Sequence, residues 1–172
     1  MEIELITYSE YGEVLALTEQ LIGEQLLSIG IATRLTVMEG SVMWADSANG
    51  GIEQLGNFDL DLYDDGYAGI DPTDFLWQYY AADAALPDYG WNVGRWTNEE
   101  FEGLLSEAYT LDETYRQELF CRMAEILDEE LPQILLFTTI NADAFHNQLS
   151  GLQSSPNDMV TWNVADWVLA AP

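Results

Sequence analysis

The stretch Gln25-Leu26-Leu27-Ser28-Ile29-Gly30-Ile31-Ala32-Thr33-Arg34-Leu35-Thr36-Val37-Met38 decides the fold. Its first part reads as the end of a helix. Gly30 is the expected stop, because glycine takes the left-handed conformation that follows a last helical turn at little cost. Residues 31–38 are then rich in β-branched and apolar side chains, as a strand should be. Upstream, residues 2–8 alternate and are rich in Ile, Leu and Tyr, which predicts another strand. Ser9 is placed to cap a helix running from there to about Ser28, with Val14, Leu17, Leu21, Ile22, Leu26 and Ile29 on one stripe at helical spacing. Strand, helix, strand makes a βαβ unit, which requires parallel strands and a right-handed crossover. The expected class is α/β.

Working outward, residues 40–56 hold a short helix ending near Gly56. Phe58 to Asp64 alternates, with Phe58, Leu60 and Leu62 on one face and Asp59, Asp61 and Tyr63 on the other. This predicts a third strand ending in Asp64-Asp65-Gly66. Asp71-Pro72-Thr73 starts a helix through Phe75, Leu76 and Tyr79. A loop follows from about Ala84 to Arg95. Thr97-Asn98-Glu99-Glu100 has the form of a capping box, and Asp112 opens a further helix with Tyr115, Leu119, Met123, Ile126 and Leu127 inside. Pro132 ends it, and Ile134-Leu135-Leu136-Phe137 is expected as a buried strand. From Asn141 to Pro172 no long periodic pattern recurs, and Trp162 and Trp167 have little else with which to form a core.

The chain has 172 residues, 48% of them hydrophobic and 12% aromatic, enough for one folded domain. It carries 31 acids against four arginines and no lysine, a net charge of -27. That field repels phosphate backbones and anionic lipid, so nucleic acid is excluded as a partner. It draws in cations, or it is an adaptation to salt and solubility. The single cysteine, Cys121, leaves no internal disulfide and is expected to pack beside Phe120 and Met123. One histidine, His146, lies in a different segment, which removes most hydrolytic and metal constellations. Met1 leads straight into the first strand, so the chain is expected to be a piece cut from a longer protein.

Two groups of residues could carry chemistry. The acid-rich run from Asp59 to Asp71 has Asp-x-Asp-x-x-Asp-Asp-Gly, but Tyr63 stands at the third ligand position of an EF-hand loop and no glutamate closes it. The second group is aromatic: Trp44, Tyr63, Tyr67, Trp77, Tyr79 and Tyr80, with Tyr89, Trp91 and Trp96 after them. Each offers an apolar face and a polar tip, which suits a ligand cleft. Tyr63 and Tyr67 flank the carboxyl end of the third strand, the edge at which open parallel sheets bind ligands. No nucleophile elbow, phosphate loop or zinc-helix motif is present, so no catalytic residue, no metal site and no cofactor are expected.

Several passages, in order, resemble the oligopeptide- and dipeptide-type (family 5) extracellular solute-binding proteins of ABC importers. They are Gln25 to Ile31, Gly56-Asn57-Phe58-Asp59-Leu60, and Asp71-Pro72-Thr73-Asp74-Phe75-Leu76. Asn92 to Phe101 follows, then Asp112 with Arg116, Ile126-Leu127 and Leu131-Pro132-Gln133-Ile134. The resemblance covers residues 3 to about 140. It implies a class II, periplasmic-binding-protein-like lobe with a mixed, mostly parallel sheet flanked by helices. Residues 1–140 would form that lobe, near the C-terminus of a two-lobed protein, and 141–172 would return to the other lobe.

The implied function is non-catalytic solute capture by lobe closure, with half of the cleft on this chain. Lobe-side contacts are expected from Tyr63, Asp64, Asp65, Tyr67, Trp91 and Asn92. The implied partners are a small solute, the missing N-terminal lobe and an ABC permease, in an extracytoplasmic setting, periplasmic or lipid-anchored. Two positions depart from the peptide-binding pattern. Where the family's peptide binders carry a tryptophan and an amine-pairing aspartate, this chain has Asp65 and Ala68. The solute is therefore left open between a peptide, a sugar and another small molecule. The rival readings are a carboxylate-based hydrolase and a calcium-binding interaction module.

Overall fold

The computed structural model describes residues 1–10, 12–66, 71–138, 140, 142–155 and 159–170. It divides into two units: Met1–Asp65 with Thr73–Pro132, and Gly66–Pro72 with Gln133–Pro172.

The first unit opens with β1 (Glu2–Tyr8), α1 (Glu13–Ser28) and β2 (Ala32–Met38). It continues through two single-turn helices, α2 (Gly40–Met43) and α3 (Ile52–Leu55), to β3 (Leu60–Leu62) and α4 (Thr73–Tyr80). Helices α5 (Glu99–Glu107) and α6 (Glu113–Glu130) close it. The sheet order is β2-β1-β3, and both pairings are parallel, as a βαβ crossover demands. β1 is central, and Leu5, Ile6, Thr7 and Tyr8 are all buried. The strand thus alternates only over Glu2, Ile3 and Glu4, and its second half is covered on both faces, as a central parallel strand should be. Thr7, fully buried, donates its hydroxyl to the Leu62 carbonyl at 2.7 Å and ties β3 to the centre.

Helix α1 begins later than the sequence suggests. Gly12, not Ser9, stands at its cap; the Ser9 amide is spent on the Met38 carbonyl. Its buried face also differs. Leu15, Glu19 and Gly23 point inward, while Val14, Leu17, Leu21 and Ile29 are exposed. The reason is close approach: a Cβ at Gly23 would lie 2.8 Å from Thr33 Oγ1 and 3.3 Å from Leu35, so the helix seats on the sheet through its glycine. The expected stop does hold, with Gly30 at φ 88°.

Two apolar clusters fill this unit. One joins Leu5, Tyr8, Leu15, Met43 and Leu62 beneath the sheet's carboxyl edge. The other joins Tyr80, Ala81 and Ala84 to Phe101, Leu105, Ala108, Leu119, Met123 and Ile126 of the paired helices α5 and α6. The α5 cap is Asn98, whose Oδ1 accepts the Phe101 amide at 2.9 Å, so Thr97 is not the capping residue. Asp112 caps α6 as expected, accepting the Tyr115 amide. Arg116 donates to Thr73 Oγ1 at 2.7 Å and to the Ala108 carbonyl at 2.8 Å, pinning α6 to the start of α4. Cys121 is exposed, since its position on α6 is turned from the Met123 face.

The second unit holds a short antiparallel ladder, β4 (Leu149–Ser150) with β5 (Val168–Leu169), around a buried Asn163. Trp162 and Trp167 donate their indole N–H groups within it, to the Gln153 carbonyl and to Asn163 Oδ1. The expected strand at Ile134–Phe137 does not form. Leu135 is 89% exposed and Phe137 60%. An apolar run becomes a strand only beside a neighbour that takes its backbone groups, and among the described residues none does.

Candidate functional site

At the carboxyl edge of the parallel sheet lies a cavity of about 330 Å³ in the first unit. Trp44, Tyr63, Tyr79 and Trp91 give it aromatic walls. Glu53, Asp64, Asp65 and Val93 complete the lining. Each comes from a segment that the fold fixes. β3 ends at Leu62 and delivers Tyr63, Asp64 and Asp65 directly to the edge. Helix α2 ends at Met43, which is wholly buried, and Trp44 follows as its cap. The Trp44 ring packs on Tyr8, the last residue of β1, with centroids 4.5 Å apart. Gly56 ends α3 at φ 68° and leaves Glu53 facing the Trp44 indole. Tyr79 stands on α4, stacked on Phe75 at 4.5 Å.

The loop that carries Trp91 is held at several points. The Trp91 amide donates to the Gln78 carbonyl at 2.8 Å. Asp88 accepts the Ser47 amide at 2.7 Å and the Ser47 hydroxyl as well, and these bonds lower its pKa. Gln54 accepts the Asp88 amide and donates to the Gly90 carbonyl. Asp88 sits at φ 63°, a left-handed conformation that aspartate tolerates better than most residues. Gly90 admits no side chain, since a Cβ there would meet Ala84 at 2.5 Å.

Beneath the cavity two carboxyl groups meet. Glu53 is 3% exposed and accepts the Trp44 indole N–H at 2.8 Å. Asp61, on β3, lies near enough for its charge and that of Glu53 to act on each other, and both Asp61 carboxylate oxygens are buried with no hydrogen-bond partner among the described residues. Two ionised carboxylates held together in a buried place repel, which favours a proton on the pair. Burial raises both pKa values above the usual carboxylate range; the mutual charge raises Asp61 further, while the bonds from Asp61 and Trp44 partly restrain Glu53. Tyr63 is pushed up by burial and then by the charges of Asp61 and Glu53, which keeps its hydroxyl protonated across neutral pH. Burial, helped by Asp65, also raises Asp64.

Of the residues expected from sequence, the fold brings Tyr63, Asp64, Asp65 and Trp91 to this one cavity. Tyr67 lies outside the described residues. Asn92 is not among the residues that line the cavity. It is 3% exposed, and its amide donates to the Tyr80, Ala81 and Trp96 carbonyls while its oxygen accepts the Trp96 amide. An amide so engaged supports the loop's own backbone. Glu53 escaped notice because residues 40–56 have no clear period. Asp61 carried a signal: an acid in the middle of a strand whose neighbours are otherwise apolar.

No family model and no curated protein matches the chain, but solved structures resemble it. NikZ from Campylobacter jejuni, in complex with Ni(L-His), superposes with a TM-score of 0.67 at 19% identity, over 96% of this chain and 33% of that one. The periplasmic binding protein DppA from Helicobacter pylori, in complex with peptide STSA, gives 0.61 at 23% identity, over 76% and 24%. The oligopeptide binding protein from Thermus thermophilus, complexed with a pentapeptide, gives 0.59 at 28% identity, over 76% and 23%. The chain thus spans a quarter to a third of the length of these proteins. The likeness shows the fold, a periplasmic-binding-protein-like α/β lobe.

Proposed function

We propose, from the premise that this chain has the fold of a solute-binding-protein lobe, that it captures a small solute reversibly for an ABC importer. The observation that carries this reading is the cavity, with aromatic walls and polar tips, at the carboxyl edge of the parallel sheet. Resemblance to proteins solved with a peptide and with nickel–histidine supports it. The cavity is one wall of a cleft whose opposite wall comes from a second lobe, and closure of the two buries the solute. The setting is extracytoplasmic; no helix among the described residues is long and apolar enough to cross a membrane.

The experiment is a titration of peptides, sugars and metal–histidine chelates followed by the intrinsic tryptophan fluorescence of Trp44 and Trp91, with each bound solute recovered and weighed by mass spectrometry. The 172-residue chain alone is expected to bind no tighter than millimolar, because half the contacts and the burial from closure come from elsewhere, on the order of a thousandfold loss against a closed cleft. The recovered solute is expected to be chemically intact. A hydrolysed product formed only when Glu53 and Asp61 are present would sink the binding reading in favour of a carboxylate hydrolase.

A further inference from the structure

We propose that the cavity selects a solute with a cationic head group, an ammonium or a guanidinium, cradled by the faces of Trp44, Tyr63, Tyr79 and Trp91 and neutralised by Glu53. This rests on the solute-capture reading and names the chemical class captured.

Three observations converge. First, the lining has four aromatic rings and three acids, and no cation. Ring faces carry negative potential and attract a cation within about 6 Å of their centroids, more strongly where water is excluded. An anionic solute would meet carboxylates and ring faces of its own sign. Second, the acid on this wall is costly to keep. Glu53 is almost wholly buried, and both Asp61 oxygens are buried with no hydrogen-bond partner among the described residues. Third, the chain's own cations are engaged elsewhere. Arg34 pairs with Glu4, Arg122 with Glu100 and Glu125, Arg95 donates to the Val93 and Gln54 carbonyls, and Arg116 donates to Thr73 and Ala108. The buried pair is thus a negative site held in waiting.

Glu53 touches the solute. Asp61 acts through Glu53 and is a positioning residue. In the empty cavity the pair holds one proton, as a carboxyl bonded to a carboxylate. When a cation docks, the carboxyl O–H bond breaks, the proton passes to solvent, and the second carboxylate takes up the new charge. Affinity for the cation therefore rises with pH as the pair loses its proton. Trp44, from the turn after α2, donates to Glu53, and Tyr63, from the end of β3, feels both acids; Tyr63 is reached in turn by Tyr80 of α4 and by Asp65.

The test uses the 172-residue chain in about 0.15 M NaCl and reads the six tryptophan indole N–H resonances by nuclear magnetic resonance. The probes are choline and its neutral carbon isostere 3,3-dimethylbutan-1-ol. Choline is expected to shift the Trp44 and Trp91 resonances with saturation, leaving Trp162 and Trp167 unmoved. The alcohol should bind at least about tenfold more weakly. Glu53→Gln should weaken choline about tenfold. Asp61→Asn should strengthen it at pH 6 and flatten its pH dependence, which a merely structural role would not do. If the alcohol moves the same two resonances as strongly as choline, the cationic selection is wrong and the capture cavity stands. If choline moves all six indoles alike, the attraction is the diffuse field of the chain and the proposal falls. If choline, the alcohol, a dipeptide, glucose and nickel–histidine all leave Trp44 and Trp91 unmoved, the capture reading falls with it.

Discussion

The carboxyl pair of Glu53 and Asp61 sets a testable property of the empty protein. Both acids have folded-state pKa values raised by burial. An acid raised in this way holds its proton more tightly folded than unfolded. Its contribution is fully present below the ordinary carboxylate range and is lost as pH rises through the raised folded value. Asp61→Asn removes one titration and supplies an amide donor to Glu53 in place of the proton. The variant should match the parent in stability near pH 3 and exceed it by roughly 1–2 kcal/mol near pH 8.5, read as a melting temperature higher by about 2–8 °C. A difference that stays flat with pH would mean that the two side chains share no proton.

Element by element, the parts governed by local chemistry were legible and the parts governed by tertiary choice were not. Gly30 and Gly56 mark helix ends because a left-handed residue is needed there, and Asp112 caps α6 because its side chain reaches its own backbone. The face of α1 is another matter. Val14, Leu17 and Leu21 fit helical spacing as well as Leu15, Ile22 and Leu26 do, and hydrophobic period alone cannot choose between two apolar stripes. Gly23 chooses, by letting the backbone approach Thr33 and Leu35. Replacing it with a large residue tests this: Gly23→Leu should cost about 1–3 kcal/mol, read as a fall in melting temperature of roughly 3–10 °C, although leucine is the better helix former. A gain in stability would mean that α1 sits on its other face. Ile134–Phe137 fails for a similar reason, since an apolar run announces a strand but not the neighbour that must pair with it. The cavity was legible at Tyr63, Asp64, Asp65 and Trp91, where strand end and aromatic supply coincide. It was hidden at Glu53, which comes from a single-turn helix without a period.

For the whole molecule charge outweighs every other feature of the composition. A chain of net charge -27 repels itself when compact. Among the described residues, Arg34 and Arg122 form ion pairs with Glu4, Glu100 and Glu125, far too few to offset the 31 acids. Salt should therefore stabilise the fold. Raising NaCl from about 10 mM to about 0.5 M shortens the screening length from about 30 Å to under 10 Å, and the melting temperature is expected to climb by about 5 °C or more. An unchanged or falling value would show that the repulsion is already relieved in the folded state.

The sheet order carries a consequence in time. Of the three strands in this sheet β1 is synthesised first, yet it is fully enclosed only when β3 arrives, because that partner stands 55 residues further along the chain at the Thr7–Leu62 bond. At about 5–20 residues per second, roughly 3–11 seconds of synthesis separate the two. During that interval Leu5 and Ile6 have only β2 and α1 beside them. A slowed ribosome between residues 38 and 62 would prolong the life of this half-built sheet, and with it the window in which a bare strand edge can pair with the wrong chain.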